Sequence, residues 1–428
     1  MKPTAIAPGI DGLFIKNDRF STTHISINLY IPLNKTTLAH NALLTYVLSS
    51  CCAEYPDFTA LNLKICQLYG ADIGGVADKV GDTQVLRFFS FTVDDELTDQ
   101  DSSVVLESFE LLCKMLFEPS VENEAFKTAD LQRERRLTLE KIEGLINEKR
   151  SYAINKTIFE MYKNEAFGQF KTGSIEDVCA ITEKSLYKAW KELLSSAKVR
   201  VQVIGKKLPD GLFENLAERF EGCNRNPMQI VPAVPKNPPQ KVNRVDEVME
   251  VAQGKLVMGF TTTFTGNDTE TAFLAVFSDL LGGGPYSKLF KNVREKLSLC
   301  YYCAARCNRA KGYLMIDSGV EAENAIKAEE EILKQLEDIK SGNFDAEDLA
   351  ASIRSIKESL RGLNDSQAAL DGWYSLKVVG NPTSPEEFIA ALEGVTKEDV
   401  IRAAGLYTLD TVYRIVPKGK EGVMAYEN

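Results

Sequence analysis

Five of the chain's fifteen prolines fall between Pro227 and Pro239, in the run NPMQIVPAVPKNPPQ. Proline has no backbone N–H to donate, so this run neither continues a helix nor pairs as a central strand. It reads as an interdomain linker, 223–243, between a first part, 1–222, and a second, 244–428. Each part is long enough to bury a core of its own. Each also opens on a β-like run followed by helical ones: His24 to Ile31 alternates polar and apolar side chains as a half-buried strand does, and Lys255 to Phe260 plays the same part later. Strands and helices in blocks, repeated once, imply an α+β fold of two similar lobes, each a mostly antiparallel sheet packed with helices.

Composition removes several function classes. The 428 residues carry 50 basic and 61 acidic side chains, a net charge of −11, which disfavours a broad phosphate-binding surface and so a nucleic-acid partner. No stretch approaches the roughly 18 consecutive apolar residues of a membrane helix. The nine cysteines are an odd set, and MKPTAIAPGIDGLF has no apolar signal core; both point to a reducing cytoplasm. There are only two histidines, His24 and His40, sixteen positions apart, whereas a zincin helix needs two imidazoles within about one turn. His24 therefore reads as a structural residue and His40 as a helix-start or surface residue.

The most informative stretch runs from Leu280 to Tyr301, LLGGGPYSKLFKNVREKLSLCY. Gly282, Gly283 and Gly284 allow close backbone approach, and Pro285 is suited to the first position of a helix whose free N–H groups would bind carbonyl or carboxylate oxygens. Arg294, near the end of that helix, and Tyr301, on the strand after it, offer a guanidinium fork and a phenol to one acceptor. The plainer reading is a surface arginine and a core tyrosine. Cys300 and Cys303 form a C-x-x-C pair, with Cys307 further on. On a regular strand the pair points to opposite faces, so these residues read as packing cysteines.

The segment Ser287 to Tyr301 resembles the insulinase/pitrilysin-like zinc peptidases, in the branch that contains mitochondrial processing peptidase and its bacterial relatives. That branch carries a glycine-rich loop followed by a pattern like S-x-L-F-x-x-V-R-E-K-x-G-L-x-Y; here Ser298 replaces the glycine. The resemblance implies a clamshell of paired lobes in which Arg294 and Tyr301 hold the substrate backbone, together with the glycines 282 to 284.

The same resemblance marks a loss. Family members place an inverted H-x-x-E-H signature about ten residues before a Tyr-Pro pair. Counting back from Tyr55-Pro56, those positions hold Ala42, Thr45 and Tyr46. The helix supplying the third ligand matches Glu134 to Ile142, which puts Lys141 or, with a one-residue shift, Glu140 at the ligand position. Alanine, threonine, tyrosine and lysine do not form a zinc site.

The resemblance thus implies a non-catalytic, substrate-binding subunit of a heterodimeric zinc endopeptidase. No metal or cofactor is expected in this chain; zinc, its bound water and the general base would belong to an H-x-x-E-H-bearing homologous partner. The expected ligand is a peptide, with no nucleic acid and no membrane. A homodimer stays open. The alternatives are an inactive scaffold of the same fold and a self-sufficient enzyme with an unrelated site.

Overall fold

A computed structural model describes residues 2–264, 266, 269–378 and 383–420. The alternating run near His24 forms the strand Thr22–Pro32. Its Ile25, Ile27 and Leu29 enter the first core, beneath the apolar helix Leu38–Ser50. The opposite face is polar, yet His24, Ser26 and Asn28 are buried too. The half-buried expectation fails because a helix from far along the chain, Gln367–Ser375, covers that face. The Asp371 carboxylate accepts hydrogen bonds from Ser26 Oγ at 2.5 Å and Gln202 Nε2 at 2.7 Å. The Tyr30 hydroxyl donates to the Ser375 carbonyl at 3.0 Å.

The first sheet has the strand order Thr4–Ala7, Ile10–Lys16, Lys198–Gly205, Thr22–Pro32, Thr83–Val93, Asp72–Val80. All neighbours are antiparallel except Ile10–Lys16 with Lys198–Gly205. The second sheet runs Asn243–Met249, Thr408–Pro417, Gly254–Thr261, Tyr313–Val320, Cys300–Asn308, again with one parallel pair, between the first two strands named. In chain order the second sheet reads first, last, second, fourth, third. The first sheet, without its extra edge strand Thr4–Ala7, reads the same. Two α+β lobes therefore share one topology, and helix Leu38–Ser50 corresponds to helix Ala272–Gly282, each following the second strand of its set.

The compact units are not contiguous halves. One comprises Met1–Glu143, Gln169–Pro232 and Asn364–Pro382; the other comprises Gly144–Gly168, Ala233–Leu363 and Thr383–Asn428. The run Glu124 to Lys149, which its sequence reads as one long helix, accordingly breaks. Thr128–Gly144 ends in a short 3-10 turn, Leu145–Asn147, and Lys149–Met161 starts anew. This last helix lies on the second sheet so closely that a Cβ at Gly259 would strike the Met161 sulfur. Each sheet is thus covered on one face by a helix encoded in the other half of the sequence, which a single cut at the proline run does not describe.

Local signals set the element ends. Ser384 accepts from the Glu387 N–H and the Glu387 carboxylate accepts from the Ser384 N–H, the capping box its sequence implies. The run Asp268 to Leu281 reads from its sequence as a helix, which is observed over Ala272–Gly282; Asp268 lies outside the described residues. No helix among the described residues is long and apolar enough to cross a membrane.

Candidate functional site

In the first unit, Ala42, Thr45 and Tyr46 lie on one turn of the helix Leu38–Ser50. Ala42 is buried and offers no donor atom. The Thr45 hydroxyl donates to the Asn41 carbonyl at 2.9 Å. The strand Asp72–Val80 presses on this turn; a Cβ at Gly75 would lie 2.8 Å from Thr45 Cγ2. Lys141, on the helix Thr128–Gly144, sets its ammonium 4.2 Å from the centre of the Tyr46 ring. Of the two candidates for the third position, Lys141 is therefore the one that meets Tyr46; Glu140 is bound to Arg136 at 2.8 Å.

This set does not fit a zinc ion. Zinc needs deprotonated or neutral donors at about 2 Å. Burial pushes the Tyr46 phenol above its usual pKa, away from the phenolate a metal would require. A lysine cation occupies the remaining side. Among the described residues, no group of three or more His, Cys, Asp or Glu is placed to hold a metal. His40, on the same helix, has its Nε2 3.1 Å from Ser185 Oγ. His24 is buried, its Nδ1 donating to the Ser90 carbonyl at 3.0 Å and its ring stacked on Phe91.

In the second unit the three glycines close the helix Ala272–Gly282. None has a positive φ. Gly282 is instead a packing glycine, since a Cβ there would strike the backbone nitrogen of Ala305 on the neighbouring strand. Gly283 is pressed against Asp279, and a Cβ at Gly284 would lie 2.9 Å from the Tyr286 ring. The helix expected to start at Pro285 starts later. The Ser287 N–H donates to the Gly284 carbonyl at 2.9 Å, closing a turn, and Ser287 Oγ accepts from the Phe290 N–H at 3.4 Å. Residues Phe290–Lys296 then form a wide, π-type turn, with the Leu297 N–H reaching the Asn292 carbonyl at 3.2 Å. Such turns concentrate at functional sites.

Arg294 projects from this wide turn. Its guanidinium carbon lies 4.6 Å from the centre of the Phe290 ring, and Nε lies 3.5 Å from Glu295. Ser298, in the position the family pattern gives to glycine, has φ +49°. That left-handed conformation explains why glycine suits the position.

Tyr301 is 74% exposed, and the cause is a bulge. On the edge strand Cys300–Asn308, Cys300 faces Val320 and Tyr302 faces Gly319, which leaves Tyr301 without a partner in the ladder. An extra residue resets the alternation. Cys303 then faces Ser318, two positions from Val320, so Cys300 and Cys303 share a face. The opposite-face expectation fails for that reason. Ser318, whose hydroxyl donates to the Tyr302 carbonyl at 2.8 Å, lies on the same face beside both thiols. The neighbouring Cys303, with help from Ser318 and the Arg294 charge, outweighs burial and draws the Cys300 thiol below its usual pKa, while Cys303 is pushed up. The sequence shows the C-x-x-C spacing but nothing of the bulge, which depends on the neighbouring strand.

Residues 180–356 match the family model described as "Peptidase M16 inactive domain". The chain is 30% identical over 419 residues to the "probable inactive metalloprotease YmfF" of Bacillus subtilis, covering 97% of each protein. It is 24% identical over 265 residues to the "uncharacterized zinc protease YmxG" of the same bacterium, covering 60% of this chain and 63% of that protein. A conserved protein of Enterococcus faecalis V583 has the same fold, with a TM-score of 0.87 at 22% identity over 99% of both chains.

Proposed function

The chain belongs to the M16 peptidase family, as an inactive homologue, and from that premise we propose that it is the substrate-binding subunit of a heterodimeric zinc endopeptidase. The observation that supports this reading is the Lys141–Tyr46 contact, a cation held over a protonated phenol at positions that the resemblance aligns with the family's metal ligands. Hydrolysis then requires a partner bearing H-x-x-E-H, whose zinc would polarise the scissile carbonyl and activate water.

What this chain contributes is grip. Tyr301 presents its hydroxyl to solvent from an edge strand, and Arg294 rises from the turn before it. An extended peptide can add to an unpaired strand edge through main-chain hydrogen bonds, which recognises backbone more than sequence. The phenol and the guanidinium are donors suited to its carbonyl oxygens. Orientation of this kind lowers the barrier independently of the metal. That one bacterium encodes both an inactive and a zinc-protease relative supports such a division of labour. The nine free cysteines suit a reducing compartment, the cytoplasm.

The test is co-purification with an H-x-x-E-H homologue from the same genome. Alone, the chain should carry no stoichiometric zinc and cleave no peptide; the complex should cleave. Arg294→Ala and Tyr301→Phe should each lower turnover at least about tenfold without dissociating the pair. Failure to form a complex removes the subunit reading. Unchanged turnover in both variants removes the grip and leaves an inactive scaffold.

A further inference from the structure

The bulge at Tyr301 has brought two thiols together that a regular strand would separate. Cys300 and Cys303 face Val320 and Ser318, alternate residues of the adjoining strand. Alternate positions on one face of a strand lie about 6–7 Å apart, at the long end of the Cα separation that a disulfide spans. Cys300 is half-buried and Cys303 is buried, so a reagent from solvent meets Cys300 first. Ser318 faces Cys303 across the ladder and lies beside both sulfurs, its own hydroxyl donating to the Tyr302 carbonyl at 2.8 Å, and the Arg294 charge favours a thiolate at Cys300. Cys307 stands outside this pair, with its sulfur on the Leu274 carbonyl at 3.6 Å.

We propose that Cys300 and Cys303 form a reversible dithiol–disulfide site, oxidised by low-molecular-weight disulfides, with Tyr301 held between them. The Cys300 thiolate attacks one sulfur of the disulfide, forming a mixed disulfide and releasing one small thiolate. Cys303 gives its proton to that thiolate and attacks the Cys300 sulfur, releasing the second small thiolate, which takes up from solvent the proton that Cys300 had given to it. Two protein thiols are oxidised and one small disulfide is reduced to two thiols. A bond near the limit of disulfide geometry is readily reduced, as labile regulatory bonds are. Closing it draws in both residues that flank Tyr301 and Tyr302, so oxidation reaches the exposed phenol. The site stands independently of the peptide-binding reading, because its readout is thiol chemistry alone.

The test uses the full chain in glutathione buffers of stepped oxidised-to-reduced ratio, followed by acid quench, alkylation, trypsin digestion and mass spectrometry. Residues 297–306, LSLCYYCAAR, form one tryptic peptide that contains these two cysteines and no other. Wild type should yield that peptide with two hydrogens lost and no alkyl group, fully reversed by excess reduced glutathione. Cys303→Ser should instead accumulate glutathione on Cys300, and Cys300→Ser should leave Cys303 reacting at least about tenfold more slowly. Three results overturn the proposal: both thiols alkylated across all ratios, glutathione retained on Cys300 in wild type, or a disulfide from either cysteine to one elsewhere. Unchanged thermal unfolding of the two serine variants in reduced buffer confirms that their chemistry is read on the native fold.

Discussion

Lys141 Nζ stands 4.2 Å from the centre of the Tyr46 ring, joining the helix Thr128–Gly144 to the helix Leu38–Ser50. The contact is a cation–π pair on a partly buried ring, worth about 0.5–2 kcal/mol. A double-mutant cycle of Tyr46→Leu and Lys141→Met, read by chemical denaturation, should return a coupling energy in that range. A cycle that adds to zero would mean that the two side chains are neighbours without interacting. Chelation of metal ions should leave the unfolding midpoint where it was.

The glycine run invites a different test, because its shape says packing where the sequence suggested a ligand loop. Gly282→Ala forces a methyl group onto the backbone nitrogen of Ala305, an overpacking that costs about 1–3 kcal/mol. Gly372, in the helix Gln367–Ser375, has nothing within 4 Å of where its Cβ would lie. Gly372→Ala should therefore gain roughly 0.5–1 kcal/mol through helix propensity. Opposite signs in urea unfolding check both readings. Equal effects would mean that the close contact at Ala305 relaxes freely.

The two-lobe plan was legible because it is written in local pattern: proline spacing, alternation over His24 to Ile31, and a serine–glutamate box at Ser384. The departures all depend on a distant segment. Ser26 and Asn28 look solvent-facing until Asp371, some 345 positions later, covers them. The C-x-x-C pair looks divided until the register with Ser318 and Val320 reveals the bulge. Pro285 looks like a helix start, but Gly284 and Ser287 close a turn there instead. No periodicity in one segment reports which partner it will meet.

Ser298 carries a backbone conformation that its side chain resists, with φ +49°. A left-handed residue other than glycine costs about 1–2 kcal/mol, while glycine costs roughly 0.5–1 kcal/mol in unfolded-chain entropy. The first term is larger, so Ser298→Gly should stabilise the chain by about 0.5–1 kcal/mol. Ser298→Val, with a branched β-carbon, should destabilise it. If thermal unfolding ranks valine above glycine, the turn is not left-handed in solution.

Asp371 connects the covering helix to the first sheet and makes stability depend on acid. Burial alone would raise its pKa, but the nearby His24 ring, the charge of Arg87 and the Ser26 hydroxyl outweigh burial and hold it below its ordinary 3.8. Nε2 of His24 lies 3.4 Å away and Nε of Arg87 3.3 Å away. A carboxylate with a depressed folded-state pKa contributes its full stability above the unfolded value and loses it as pH falls through the folded one. Wild type should therefore lose stability below about pH 4. Asp371→Asn leaves Arg87 without its carboxylate and should cost roughly 3–5 kcal/mol at neutral pH. Because asparagine does not titrate, the same variant should show a shallower fall between about pH 4 and pH 2. Denaturation curves across that window decide the matter: parallel pH profiles for the two proteins would show that the acid dependence comes from other carboxylates.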